Sequence, residues 1–149
     1  MARVDTLPEI LVPLMSAPSI RLERCAVCGR YRPLEQHHMV RRGAGRLYRM
    51  GVEVPKPTIT LRGFGNNLSD ADGRPYCHGL AHANRLHFRW VPGPYPSGRE
   101  LAYGAGSYDV TLARGGHLEY IVLDEPTKYV DALAMDGWRP LRRWRWCCA

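Results

Sequence analysis

The chain has 149 residues, 45% of them hydrophobic, with a formal net charge of +7 and five cysteines. That length suits about one domain with its own core, and no stretch approaches the roughly 18 apolar residues that suggest a membrane-spanning helix. The positive balance, carried by 19 arginines and two lysines, points to a polyanionic partner, nucleic acid first.

The first 20 residues, MARVDTLPEILVPLMSAPSI, hold an apolar patch interrupted by Pro8, Glu9 and Pro13. They lack a basic start followed by a clean apolar run, so a cytoplasmic protein without a signal peptide is expected. Residues 1–24 read as an extension with one short helix over Thr6 to Met15, limited by Pro13. CAVCGRYRP, residues 25–33, reads as a tight knuckle with Gly29 at a turn. In a reducing compartment its C-x-x-C pair suggests metal rather than a disulfide.

LEQHHMVRRGAG follows, and His37 and His38 fall at the end of a short strand. Neighbouring strand side chains point to opposite faces. One imidazole can then hold an ion while the other takes a proton from water. TITLRG, residues 58–63, has the β-branched alternation of a strand, and residues 41–63 read as an insertion carrying one extra strand. GFGNNLSDADGRP is a loop.

From Pro75 to Trp90 the pattern predicts one helix. His78 and His82, four apart, then stand about 40° apart around its axis, close enough to share a metal. Cys77 is turned about 100° away from His78. His87 falls on the opposite face, where with Arg85 and Arg89 it meets phosphate or solvent. The stretch 92–98, rich in Pro and Gly, is the one plausible seam. YDVTLARGGHLEYIVL predicts a hairpin with its turn at RGGH and His117 exposed beside it. DEPTKYVDALAMDG predicts a helix ending at Gly137. In the tail, WRPLRRWRWCCA, the arginines and tryptophans either grip phosphate and stack on bases or pack the rings inward and leave the charges in water. Cys147 and Cys148 read as a frayed end.

Taken in order, Cys25 and Cys28, Glu35, His37-His38, Asn67-Leu68, and Cys77-His78 with His82 resemble the HNH endonucleases, the ββα-metal nucleases, over roughly residues 25–88. The resemblance implies an α+β fold: residues 1–24 as an N-terminal extension, 25–91 as an HNH core with a zinc-knuckle-like C-x-x-C, and 92–149 as a hairpin-helix extension with a basic, Trp-rich tail. It implies His38 as general base and Asn67 holding the His38 loop. Asn67 is preferred to Asn66 because Leu68 follows it. His37 and His78 become ligands of a divalent ion (Mg²⁺, Mn²⁺, Ni²⁺ or Zn²⁺), with His82 as a third. Cys25, Cys28 and Cys77 become ligands of a structural Zn²⁺. The partner implied is double-stranded DNA, with Arg41, Arg42, Arg85, Arg89, Arg142 and Arg143 assigned to the nucleic acid. The setting implied is a phage or mobile element, with the protein in the cytoplasm of a bacterial host.

The pattern expects a cysteine where this chain has Arg74. Arginine cannot ligate zinc, so a fourth ligand must be Asp70, Asp72 or water. A second class of function is a non-catalytic, zinc-stabilised module binding nucleic acid or another protein as inhibitor or adaptor. The intact set His37, His38, Asn67 and His78 favours the enzyme.

Overall fold

The computed structural model describes residues 8–40, 46–93 and 116–141. Among these the chain is mixed α+β: three small antiparallel sheets and two short α-helices. No described helix is long and apolar enough to cross a membrane.

The helix expected near the N-terminus is instead two single 3₁₀ turns, Glu9–Leu11 and Leu14–Ser16. Pro13 lies between them. It lacks an N–H and crowds the preceding carbonyl, so no continuous ladder runs through it. The segment nevertheless joins the core. Leu14, Ala17 and Ile20 are buried, and Ile20 bridges in parallel to Ile59, its N–H donating to Thr58 O at 2.8 Å.

Strand β1 (Leu34–His38) pairs antiparallel with a strand over Thr58–Arg62, so that His37 lies opposite Ile59 and His38 opposite Thr58. The strand expected at TITLRG is thus the partner of the histidine strand. Residues 41–63, expected to carry one extra strand, carry that strand and a hairpin besides: β2 (Leu47–Arg49) and β3 (Val52–Val54) pair across a tight turn. Its two central residues, Met50 and Gly51, both have positive φ, as a turn matched to the strand twist demands. The Thr58–Arg62 strand is therefore β4.

The long helix expected from Pro75 to Trp90 is corrected most. Helix α1 covers Cys77–His82 alone. Asn84 sits in the left-handed region at φ 60°, its N–H donates to Ala81 O, and the Arg85 N–H reaches back to Leu80 O at 2.9 Å. This paired closure ends a helix. The residues that follow, Leu86–Pro92, form β5, where Leu86, Phe88 and Trp90 are buried. Aromatic and branched side chains there favour a pleated surface over another helical turn.

β5 pairs along its length with β6 (Gly116–Val122), which also pairs with β7 (Arg139–Pro140). Gly116 and His117, placed by expectation in a turn, are therefore strand residues. The other arm of that predicted hairpin lies outside the described residues. His117 is 3% exposed rather than solvated, and its Nδ1 is 3.3 Å from Gly93 O. The last helix, α2, is only Tyr129–Leu133, and Gly137 turns the chain at φ 107°. One apolar cluster runs from Leu14 through Ile59 and Leu61 to Leu118 and Leu141, so residues on both sides of the Pro/Gly stretch share a core.

A Cβ at Gly116 would lie 2.3 Å from the buried Trp90 ring. Gly116→Ala is expected to destabilise the protein by about 1–3 kcal/mol through overpacking, read as a lowered midpoint in urea.

Candidate metal centres

Two groups of potential ligands stand out among the described residues: His37, His78 and His82, and Cys25, Cys28 and Cys77. In each, the ligand atoms lie within 4.8 Å of one another.

The histidine group joins a strand to a helix. His37 comes from β1; His78 and His82 come from successive turns of α1. The His37 ring centroid is 5.1 Å from that of His78 and 5.7 Å from that of His82. The His78 and His82 Nε2 atoms are 3.0 Å apart. His78 Nδ1–H donates to Glu35 Oε1 at 2.8 Å, which fixes the tautomer and leaves Nε2 as the lone pair facing the cluster. Glu35 is two residues from His37, so both point to the same face of β1. Burial tends to raise the Glu35 carboxyl, but hydrogen bonds from His78 and from the Gly65 N–H (3.3 Å), with the nearby histidines, bring it below its ordinary value.

Burial lowers His37 to about 3, helped by the charges of His78, His82 and His38. Near neutral pH it is uncharged, the form in which imidazole binds metal. Next to it on β1, His38 shares with His37 the wall of a cavity of about 480 Å³, which Leu14, Phe88, Lys128 and Tyr129 also line. Burial pushes the Tyr129 phenol up to about 12.

Gly63 belongs to no motif, yet the site depends on it. A Cβ there would lie 2.5 Å from His78 Cβ and 2.7 Å from Glu35 Oε1. Glu35 itself carried no chemical role in the motif reading. Its spacing of two from His37 on a strand was the available signal.

In the cysteine group, Cys25 and Cys77 are buried and Cys28 is partly exposed. The knuckle forms as expected: Gly29 has φ 78°, its N–H donates to Cys25 O at 3.0 Å, and the Cys28 N–H points at Cys25 Sγ at 3.4 Å. Hydrogen bonds from the Cys28 and Cys77 thiols drive Cys25 strongly toward thiolate, while donation to Cys25 pushes Cys77 up. A set of three sulfurs sharing protons this way fits a thiophilic ion that displaces those protons. Neither Asp70 nor Asp72 belongs to the group. Asp70 is bound instead by Arg62 Nη2 at 2.7 Å and accepts the N–H groups of Asp72 and Arg74.

Asn67 donates its side-chain amide to Phe64 O at 3.0 Å, within its own loop, rather than to the His38 segment. That loop packs on α1, where Gly79 lets Asn67 O approach a would-be Cβ to 3.0 Å. Arg85 Nε donates to Leu123 O, and Arg89 pairs with Glu119 under the Trp138 ring, so both arginines serve the fold. His87, expected on an exposed helix face, is buried on β5, where Nε2–H lies between Asn84 O at 2.9 Å and Thr127 O at 2.8 Å. Arg41, Arg42, Arg142 and Arg143 lie outside the described residues. No protein-family model, curated protein or solved structure matches the chain.

Gly63→Ala is expected to separate Glu35 from His78 and weaken metal binding at the histidine site by about 10–100-fold, as Glu35→Gln should. Isothermal titration of protein whose cysteines are replaced by serine measures this. Because His37 is depressed in the folded state, its contribution to stability is complete above pH 6.5 and is lost as pH falls toward 3. Thermal melts of metal-free protein should hold steady above pH 6.5 and decline below it, less steeply in His37→Asn.

Proposed function

We propose that the chain is a metal-dependent endonuclease of the HNH type, hydrolysing phosphodiester bonds of double-stranded DNA. The observation that carries this reading is the convergence of His37, His78 and His82 beside His38, with a carboxylate behind His78. The donor set suits a divalent ion: three imidazoles, one half-buried and neutral, one oriented by Glu35.

In this reading His37, His78 and His82 hold the ion. A divalent ion at such a site supplies positive charge for the scissile phosphate and the leaving 3′ oxygen. His38, the neighbour of a ligand on the same strand, accepts the proton of the attacking water. Glu35 keeps His78 Nε2 turned inward. Asn67 positions residues 64–68 against α1 rather than touching the base. The net positive charge draws the duplex, and binding should weaken steeply with salt.

The test is cleavage of supercoiled plasmid by EDTA-stripped protein resupplied with Mg²⁺, Mn²⁺, Ni²⁺ or Zn²⁺. Wild type should nick or linearise the plasmid. His38→Ala should lose about 10²–10⁴-fold in rate with unchanged metal content. A His38→Ala rate equal to wild type removes His38 as base. Folded wild type that retards DNA but cuts with no metal replaces the enzyme by a binding module on the same scaffold.

A further inference from the structure

We propose that Cys25, Cys28 and Cys77 hold a thiophilic divalent ion whose fourth position opens into a neighbouring cavity and takes a thiolate. This goes beyond the nuclease reading and stands without it.

Three observations carry it. First, the described residues supply three sulfurs and no fourth His, Cys, Asp or Glu. The position that would complete a second C-x-x-C with Cys77 is Arg74, and it is exposed. Second, the site is not sealed. Cys28 and Cys77 both line a cavity of about 740 Å³. Zinc held by four protein ligands is closed and structural, whereas three protein ligands leave a position for an exchangeable one. Third, Arg30, Arg74 and Arg139 line the same cavity. Three thiolates already outweigh a divalent charge, and guanidinium groups around the opening offset the further negative charge of an anionic fourth ligand. A soft, sulfur-rich coordination sphere favours another sulfur over an oxygen donor. An incoming thiol loses its proton to solvent as the metal–sulfur bond forms.

The thiolate is a small thiol from solution, which reaches the ion through the cavity that Cys28 and Cys77 line.

The experiment loads the full chain with Co²⁺ in thiol-free buffer and follows the near-ultraviolet sulfur-to-cobalt absorption. Histidine ligands do not contribute there, so the outcome is independent of the histidine site and of any cleavage, and replacing Cys147 and Cys148 leaves the three clustered cysteines as the sulfur donors. A Cys147→Ser/Cys148→Ser double variant should show three-thiolate intensity, rising by about one third when 2-mercaptoethanol is added. Wild type already at four-thiolate intensity in thiol-free buffer, and unmoved by 2-mercaptoethanol, overturns the proposal. Wild type that rises with 2-mercaptoethanol identifies a thiol from solution. Arg74→Cys, made in the double variant, should restore full intensity and abolish the response. A double variant that binds Co²⁺ through three sulfurs and ignores 2-mercaptoethanol overturns the proposal. So does one that gives no sulfur-to-cobalt band while its fold is intact by circular dichroism.

Discussion

Two consecutive residues, Cys77 and His78, serve two different clusters from the first turn of one helix. A helix turns each residue about 100° from the last, so neighbours there cannot share a site, and here they do not. Cys77 faces the knuckle of Cys25 and Cys28, and His78 faces β1 and His82. Everything around α1 holds that rotation. The Tyr76 N–H donates to Leu68 O at 2.9 Å just before the helix, and Asn84 stops it just after. Gly79 lets the Asn67–Leu68 backbone press against the middle. A slip of one residue would take ligands from both clusters at once.

The strand side of the histidine cluster is equally constrained. β1 and β4 lie in a register that puts Glu35 opposite Leu61, two residues before Gly63. The missing side chain at Gly63 leaves the space in which the Glu35 carboxylate meets the His78 ring. The contact links burial, tautomer and charge. A carboxylate behind His78 keeps one nitrogen protonated and turns the other to the cluster, while His37, half-buried and neutral, adds a lone pair without adding charge. A ring of three like-charged imidazoles would repel itself; this arrangement avoids that near neutral pH.

The arginine excess has a divided use. Arg62, almost buried, is fixed by Asp70 and lies over the Tyr76 ring at 4.7 Å. Arg89 is pinned between Glu119 and Trp138, and Trp138 in turn donates its indole N–H to Ala132 O. The planar guanidinium suits such positions because it stacks and donates at once. A formal net charge of +7 therefore does not translate residue by residue into a phosphate-binding face, although it still sets the long-range field.

Spacing along the chain grouped the local donors, Cys25 with Cys28 and His78 with His82, whereas joining Cys77 to the first pair and His37 to the second rested on the family resemblance. C-x-x-C and the i, i+4 histidines bring donors together through local geometry that a tight turn or a single helical turn supplies. The knuckle, the strand at Thr58–Arg62 and the mixed α+β class were legible for the same reason. Beyond local range the sequence misled. LHFRWV reads as a continuation of the helix by period, yet it becomes β5 because Asn84 reverses the chain and β6, some 30 residues away, offers a ladder to pair with. That pairing buried His117 and His87 and tied up Arg89. The need for Gly63, the reach of Glu35 to His78 and the open side of the cysteine cluster were likewise decided only in three dimensions. Each depends on how closely two segments distant in sequence approach, and no one-dimensional spacing encodes that distance.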